Sequence, residues 1–431
     1  MDSNSYPPRM WNSLPRLAKP AALVYVLDLL VRKATGMAVI TNDTASYMHK
    51  GAARPPAYPA LIDVFSAVFG DGVAWMYALI VFQCFAAAVC AWRLCAVLRK
   101  SYGLPEPAAA VVLALLLLPA DTWYGSLIGP EMMLYACALL ALSLIAEGLA
   151  APSLAAFSCA AASGALAMLF KPQGTFLLAL AAAGAFAGWR LSSKSFRFRR
   201  FLAAAAVCYC CAAGCDALYH KIVNGNRGFP LFSYMVAGNL LRLSEPADAA
   251  RFAPADRKMA SVILDEMEAR GYTLRHGYTD INQVLHHTSL MTAGEAYGLS
   301  RGEVGKKIVA ALLPKYFLKY VFHAGWKLLR SVRPVQLLVL ALLLMLPGWS
   351  APAAGNVLMS LVLLSCLLNR MTIVPLVELQ GRFLFITDAT VVPLFIAVAF
   401  HPLLAVLSGG TAGPPCAQTA ASIVSPPEKI V

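Results

Sequence analysis

The run PEMMLYACALLALSLIAEGLA, residues 130–150, decides the fold class of this chain. Every residue between Glu131 and Glu147 is uncharged, and most of them are apolar. A helix of about 20 such residues is long enough to cross the hydrocarbon core of a bilayer. A proline followed by an acid is typical of the first turn of a helix. The run therefore predicts a membrane-spanning helix that begins at Glu131.

The composition of the whole chain agrees with this run. Of its 431 residues, 59% are hydrophobic and 13% are charged, whereas about 25% of the residues of a soluble domain are charged. The net charge of +13 is compatible with a nucleic-acid partner. However, a prominent group of basic residues lies in the short segment 190–200 between two apolar runs, as the loops of membrane proteins do. The composition indicates a polytopic membrane protein and argues against nucleic-acid binding.

Further apolar runs predict an all-α fold with about ten transmembrane helices, in a range of about nine to eleven. Asp28, Arg32 and Lys33 interrupt the first run, so it is either a shortened span or a helix at the membrane interface. The predicted helices cover residues 17–34, 73–98, 107–121, 131–150, 153–170, 172–189, 201–220, 334–349, 354–377 and 386–407.

Basic residues in the short loops set the predicted orientation, since cytoplasmic loops are rich in Lys and Arg. We expect a multi-pass protein of the plasma (inner) membrane with a cytoplasmic N-terminus. A first loop (residues 32–72), a second loop (121–130), Lys171 and a long loop from residue 221 then share the extracytoplasmic side. The basic residues that fall together on the other side are Arg16, Lys19, Arg99, Lys100 and the 190–200 cluster.

These elements divide the chain into four predicted parts. Residues 1–220 form an N-terminal membrane module that contains the first loop. Residues 221–333 form an extracytoplasmic loop that ends in a basic helix. Residues 334–408 are the C-terminal membrane helices, and residues 409–431 are a flexible tail.

The long loop carries mixed charges and predicts a small helical lid over the membrane module. Residues 255–270 alternate charged and apolar residues at helical spacing, which predicts an amphipathic helix. The apolar stripe of this helix consists of Met259, Val262, Ile263 and Met267.

A basic row follows in the same loop. Lys315, Lys319, His323 and Lys327 recur at every fourth residue beside an apolar stripe. This pattern predicts a helix in the membrane interface with its basic side toward phosphates. The alternative is an eleventh span whose lysines extend to the headgroups.

The first loop is a polar segment that contains NDTASY (42–47) and RPPAYP (54–59). Its carboxylate, Asp43, can accept a proton from a hydroxyl group at the membrane surface. Tyr47 lies four residues on, and Arg54-Pro55-Pro56 restricts the backbone that follows to extended or turn geometry. Pro59 allows a helix to start there with Leu61, Val64 and Phe65 facing inward.

Other candidate residues lie on the same predicted side. Glu131 and Asp121 are acids at helix ends, and the pattern predicts that one of them is functional without deciding between them. Lys171, directly before a proline, can neutralise a phosphate as a point charge. Arg382 enters the last apolar run and needs an anionic partner, either Glu378 or a lipid phosphate.

Four motifs together resemble GT-C type glycosyltransferases, in particular bacterial members similar to protein mannosyltransferases and aminoarabinose transferases. Asp43 with Tyr47 and RPPAYP resembles the first outer loop of that family. Pro130-Glu131 resembles its second-loop acid, and Lys171-Pro172 resembles its lysine-proline break. ELQGRF (378–383) is similar to its acid-Arg-Tyr signature before the last span. The motifs occur in the order of the family.

The resemblance implies transfer of a sugar from a polyprenyl-phosphate donor to a glycan, lipid or protein acceptor, with inversion at the anomeric carbon. Asp43 and Glu131 would be catalytic. Further residues would support the site: Tyr47, Tyr58, Asp121 and Glu378. Lys171, Arg382 and Arg54 would bind the donor phosphate. The site has no predicted metal ligands, and the need for a divalent cation stays open.

Two other functions remain in competition with this interpretation. One is a non-catalytic transporter of lipid-linked glycans, which predicts charged residues buried at mid-membrane. The other is a ligase or polymerase that joins preassembled glycans.

Overall fold

The computed structural model describes residues 9–36, 38–51, 54–192, 197–224, 231–277, 284, 296–299, 301–345, 353–373 and 381–407. In these ranges the chain is helical, which confirms the predicted all-α class; the β-pairing there is an isolated parallel bridge between Val39 and Leu127. The helices of the first half are α1 Arg9–Thr35, α2 Asn42–Met48, α3 Ala57–Phe69, α4 Ala74–Tyr102, α5 Glu106–Asp121, α6 Trp123–Ser126, α7 Glu131–Ala150, α8 Leu154–Phe170 and α9 Thr175–Leu191. Those of the second half are α10 Phe198–Asn224, α11 Leu231–Leu243, α12 Arg257–Ala269, α13 Arg301–Ser331, α14 Pro334–Met345, α15 Ala353–Ile373 and α16 Gly381–Leu407.

Within the described ranges, five helical segments are long and apolar enough to cross a membrane, so the protein is a multi-pass membrane protein. They are Ala74–Tyr102, Glu131–Ala150, Pro172–Leu191, Phe198–Val223 and Gly355–Ile373. The total of about ten spans stays a prediction. Helix α1 is not among the five, in keeping with its interrupted run, and it packs against α4 and α5.

Helix α7 is the centre of the bundle. It is apolar on all sides and packs against α4, α8 and α9, and nearly all of its residues are buried. A helix that is hydrophobic all round belongs in such a position. At its far end, a Cβ on Gly148 would lie 2.8 Å from the ring of Phe157, and one on Gly188 would lie 2.7 Å from it. These glycines let the ring insert between α7 and α9.

The long loop has a hydrophobic core of its own, built from α11, α12 and the first half of α13. The predicted helix at 255–270 is present as α12, with Met259, Ile263 and Met267 buried. The prediction was wrong for Val262, which is 49% exposed. The three buried residues are four positions apart and share one face. Val262 lies beside that face, toward solvent.

The first member of the basic row on α13 has a partner within the protein. Lys315 Nζ donates to Asp248 Oδ1 over 2.7 Å, so this lysine binds a carboxylate of the long loop. The hydroxyl of Tyr316 donates to Asp248 Oδ2 over 2.6 Å. Burial would raise the pKa of Asp248, but the hydrogen bonds from these two side chains outweigh it and lower the pKa. The ionised carboxylate therefore fastens α13 to the loop.

The first loop is more regular than its sequence suggests. Residues 42–48 form helix α2, so Asp43 lies in a helical turn. Helix α3 begins at Ala57, two residues before Pro59, because the preceding proline pair already ends the extended chain. Its buried residues are Tyr58, Pro59 and Ile62, whereas Val64, predicted to face inward, is 57% exposed.

Candidate active site

Asp43 and Arg54 form an ion pair in the first loop. Arg54 Nη2 lies 2.5 Å from Asp43 Oδ1, and its Nε donates to Ser46 Oγ over 2.8 Å. The guanidinium carbon also lies 4.6 Å from the ring centre of Tyr47. The side chains of Asp43 and Arg54 are 32% and 23% exposed, so a substrate can reach the pair. The acid, the tyrosine and the arginine that the sequence singled out thus lie in one cluster.

Neighbouring side chains stabilise the protonated form of Arg54. Burial would lower the pKa of Arg54, but Tyr47 and Asp43 outweigh this effect and raise the pKa. The planar guanidinium binds a carboxylate, a hydroxyl and an aromatic face at once, which a lysine cannot do. The arrangement fixes the orientation of the Asp43 carboxylate.

Two buried tyrosines lie beneath this ion pair. Tyr47 and Tyr58 pack edge to face, with ring centres 5.3 Å apart and planes at 74°. The hydroxyl of Tyr58 donates to Gln83 Oε1 over 2.7 Å, and Gln83 Nε2 donates to the carbonyl of Leu127 over 3.3 Å. Burial raises the pKa of Tyr47, and the charge of Glu131 adds to the effect while Arg54 opposes it. The raised pKa values keep the protons on both phenols.

The first and second loops are joined by backbone hydrogen bonds. The N–H of Val39 donates to the carbonyl of Ser126 over 2.9 Å, and the N–H of Ile128 donates to the carbonyl of Val39 over 3.0 Å. The buried hydroxyl of Thr44 donates to the carbonyl of Ile128 over 2.7 Å. Helix α2 is therefore fixed to the segment that leads into Glu131.

Glu131 forms a second ion pair with Lys171. Its Oε1 lies 2.9 Å from Lys171 Nζ, and the two side chains are 3% and 14% exposed. In the described part of the chain, Glu131 Oε2 is buried and has no hydrogen-bond donor. The charge of Glu131 also raises the pKa of both Tyr47 and Tyr58, so the acid lies beside the tyrosine pair. The structure therefore gathers the two predicted acids around the same two rings.

The predicted lysine-proline break is present. Helix α8 ends at Phe170, and a single 3₁₀ turn, Pro172–Gly174, leads into α9. In this turn, Gln173 Nε2 donates to Asn369 Oδ1 over 2.6 Å, and Asn369 Nδ2 donates to Thr387 Oγ1 over 3.1 Å. These bonds connect the site to α15 and α16.

Sequence reasoning missed an arginine in this region. Arg370 is 1% exposed, and its Nη2 lies 2.9 Å from Asp388 Oδ1. Its Nε donates to the carbonyl of Ser331 over 3.2 Å. The sequence did contain a sign of this site, since Arg370 is a charged residue inside the apolar run 354–377. Charged side chains are costly to bury in a membrane, so they pair with one another or with backbone carbonyls there.

Asp121 has a separate role from Glu131. Its Oδ1 lies 2.9 Å from Arg32 Nη1, and Lys33 Nζ donates to the hydroxyl of Ser126 over 3.0 Å. These contacts attach α1 to the end of α5. Of the two acids that the sequence left open, Glu131 is the one that pairs with Lys171, whereas Asp121 pairs with Arg32. Glu378 and the side chain of Arg382 lie outside the described residues, so their roles stay predictions.

Within the described ranges, no three side chains of His, Cys, Asp or Glu lie close enough to form a metal site. Asp43 and Glu131 are each bound to a cation instead.

A comparison with known protein families gives a match over part of the chain. The model of the dolichyl-phosphate-mannose-protein mannosyltransferase family matches residues 53–214. This is a GT-C type family, so the resemblance predicted from the sequence is confirmed over this segment, which includes Arg54, Glu131 and Lys171. The family implies a membrane glycosyltransferase that uses a polyprenyl-phosphate sugar. No curated protein and no solved structure matches the chain.

Proposed function

We propose that this protein transfers a sugar from a polyprenyl-phosphate donor to an acceptor on the extracytoplasmic side of the membrane. The acceptor is a glycan, a lipid or a protein. The observation that carries the proposal is the pairing of two acids with two cations around one tyrosine pair: Asp43 with Arg54, and Glu131 with Lys171. Such an arrangement supplies both a base and a cationic phosphate site.

Asp43 acts as the general base in this proposal. An acceptor hydroxyl attacks the anomeric carbon of the donor while Asp43 takes its proton. The bond from that carbon to the phosphate oxygen breaks, and the electron pair leaves with the phosphate. A single displacement of this kind inverts the anomeric carbon. Arg54 orients the carboxylate because it binds Oδ1 directly.

Lys171 stabilises the departing phosphate as negative charge develops on it. An ammonium group has three donors, so binding to Glu131 does not exclude a phosphate oxygen. Glu131 holds the lysine at the junction of α8 and α9. Arg54, which pairs with Asp43, also contributes to the phosphate site. Arg382, predicted from the sequence, is a further phosphate ligand in this proposal.

The experiment compares two aspartates of the first loop in membrane vesicles. Asp43→Asn is tested beside Asp63→Asn, because Asp63 also forms an ion pair, with Lys50 at 2.9 Å, but is 53% exposed and away from the tyrosines. Vesicles from a deletion strain receive a panel of labelled polyprenyl-phosphate hexoses and pentoses. We expect Asp43→Asn to lower transfer by about 10²- to 10⁴-fold, with Asp63→Asn close to wild type. Transfer at the wild-type rate by Asp43→Asn would disprove the assignment.

A binding measurement separates this function from that of a ligase or polymerase. Polyprenyl phosphate and a pyrophosphate-linked glycan compete for the purified protein in detergent. We expect preference for the monophosphate, with Lys171→Met weakening it. Preference for the pyrophosphate-linked glycan would favour the ligase or polymerase.

A further inference from the structure

We propose that the second half of α13, residues 317–331, lies in the headgroup interface of the bilayer and binds anionic lipids there. The sequence predicted an interfacial helix with its basic row toward phosphates, and the structure supports a different arrangement. The membrane-facing side is an apolar arc, and two basic residues line one edge of it. This surface has no part in the proposed sugar transfer.

The apolar arc consists of large exposed side chains. At 100° per residue they cover about half of the helix circumference, a wide stripe for a helix in a folded protein. A continuous apolar patch of this size marks a surface that another apolar phase covers. Its members are Phe317 (53% exposed), Leu318 (78%), Val321 (48%), Phe322 (77%), Trp326 (48%) and Leu329 (68%).

The core of the long loop does not cover this arc, because it packs on the preceding part of the helix. Val304, Ile308, Leu312 and Tyr316 are the buried residues of α13 that belong to this core. Tyr316 is one position before the arc begins, and its side chain is held by Asp248. The arc is therefore a second hydrophobic surface of the same helix, further along its length.

The end of α13 lies at the level of the membrane boundary. The carbonyl of Ser331 accepts from Arg370, which is close to the end of the membrane-spanning helix α15. The preceding residue of α15, Asn369, binds Gln173 at the start of another candidate span. Apolar α14 then begins at Pro334. The end of α13 is therefore bound beside the ends of two membrane-spanning helices. At this level of the membrane, lipid is the phase that covers the apolar arc.

Two basic residues specify the lipid chemistry. Lys319 and Arg330 are exposed and lie along one edge of the arc, about 20° apart in helical projection. The guanidinium of Arg330 lies 4.9 Å from the ring centre of Trp326. Long basic side chains at such an edge extend to headgroup phosphates, and an aromatic ring prefers the same depth. Lys315 precedes the arc and is paired with Asp248 of the long loop.

The first experiment maps contact with lipid by photo-cross-linking. The photoreactive residue p-benzoylphenylalanine replaces Leu318 or Phe322 in the full chain, and Lys258 on the exposed face of α12 as the control. The proteins are placed in nanodiscs, irradiated, digested and analysed by mass spectrometry. We expect lipid adducts at positions 318 and 322 and none at 258. Adducts with a second copy of the chain, or the absence of lipid adducts, would overturn the proposal.

The second experiment tests the lipid charge. Nanodiscs contain equal amounts of phosphatidylcholine and anionic phosphatidylglycerol, and adducts at position 322 are counted for each lipid. We expect enrichment of the anionic lipid, and its loss in the double variant Lys319→Gln with Arg330→Gln, by up to roughly fivefold for each basic residue. Lys306→Gln, in the first half of α13, should keep the enrichment. Equal adducts with both lipids in the unmodified background would disprove the anionic preference.

Discussion

Lys171 Nζ and Glu131 Oε1 lie 2.9 Å apart although the residues are 40 positions apart in the chain. The pair is almost entirely buried, and it joins the start of α7 to the end of α8. A buried charge that loses its partner is left without solvation, so the two side chains depend on each other.

We expect Lys171→Met to destabilise the protein by about 3–5 kcal/mol, because it leaves the carboxylate of Glu131 buried without its cation. The double variant Glu131→Gln with Lys171→Met should recover much of this loss. A double-mutant cycle on the thermal unfolding of the detergent-solubilised protein measures the coupling. Additive effects of the two substitutions would contradict a direct buried pair.

Arg54→Lys should lower sugar transfer by about 10- to 100-fold, which corresponds to the loss of a charged hydrogen bond of roughly 1.5–3 kcal/mol. Lysine keeps the charge but cannot bind Asp43, Ser46 and the Tyr47 ring together. Arg93→Lys is the control, since Arg93 binds Glu147 in an exposed pair. Transfer by Arg54→Lys at the control rate would show that orientation of the carboxylate is unimportant.

Gly125→Ala should distort the second loop and reduce both stability and transfer. Its Cβ would lie 1.8 Å from the carbonyl oxygen of Ala120, which is backbone and cannot move away cheaply. We expect a loss of about 1–3 kcal/mol, as for other overpacked positions. Gly214→Ala, where a Cβ meets nothing within 4 Å, is the control. Unchanged thermal unfolding of Gly125→Ala would contradict the close approach.

The long loop should weaken in acid because of Asp248. Its pKa is lowered in the folded protein, so it contributes stability above its unfolded pKa of about 3.9, and this contribution is lost as the pH falls through the lower folded value. Hydrogen exchange in α11 and α12, corrected for the intrinsic rate, should accelerate as the pH falls through this range. Asp248→Asn should remove this step, and exposed Asp265→Asn should retain it. A step that persists in Asp248→Asn would assign it to another group.

The bundle was readable from the sequence because each span must be continuously apolar in a bilayer. The helix beginning at Glu131 and the break at Lys171 were both confirmed. The pairing of these two residues was not readable, since it depends on how α7 and α8 pack. The sequence placed both on one side of the membrane, and side-chain packing decided which acid met the lysine.

The sequence did not predict the partners of polar residues that lie within apolar runs. Gln83 and Asn369 each satisfy a partner from a distant segment: Gln83 binds Tyr58, and Asn369 binds Gln173. A single amide in a long helix gives no sign of its partner, because the partner is distant in sequence. In the first loop, Val64 was predicted to be buried from apolarity alone, yet it is exposed, because the buried face of α3 follows Tyr58 and Ile62 and Val64 lies about 200° from Ile62 around the helix.

The backbone bonds of Val39 with Ser126 and Ile128 bear on how the protein responds to its membrane. Bilayers differ in thickness, and spanning helices adapt to the difference by tilting. Catalytic groups carried on separately tilting helices would drift apart in a thicker or thinner membrane. Here backbone hydrogen bonds join the segment before Asp43 to the segment that leads into Glu131. These two segments should therefore move together when the helices tilt. The spacing of the two acids should therefore be the same in membranes of different lipid composition.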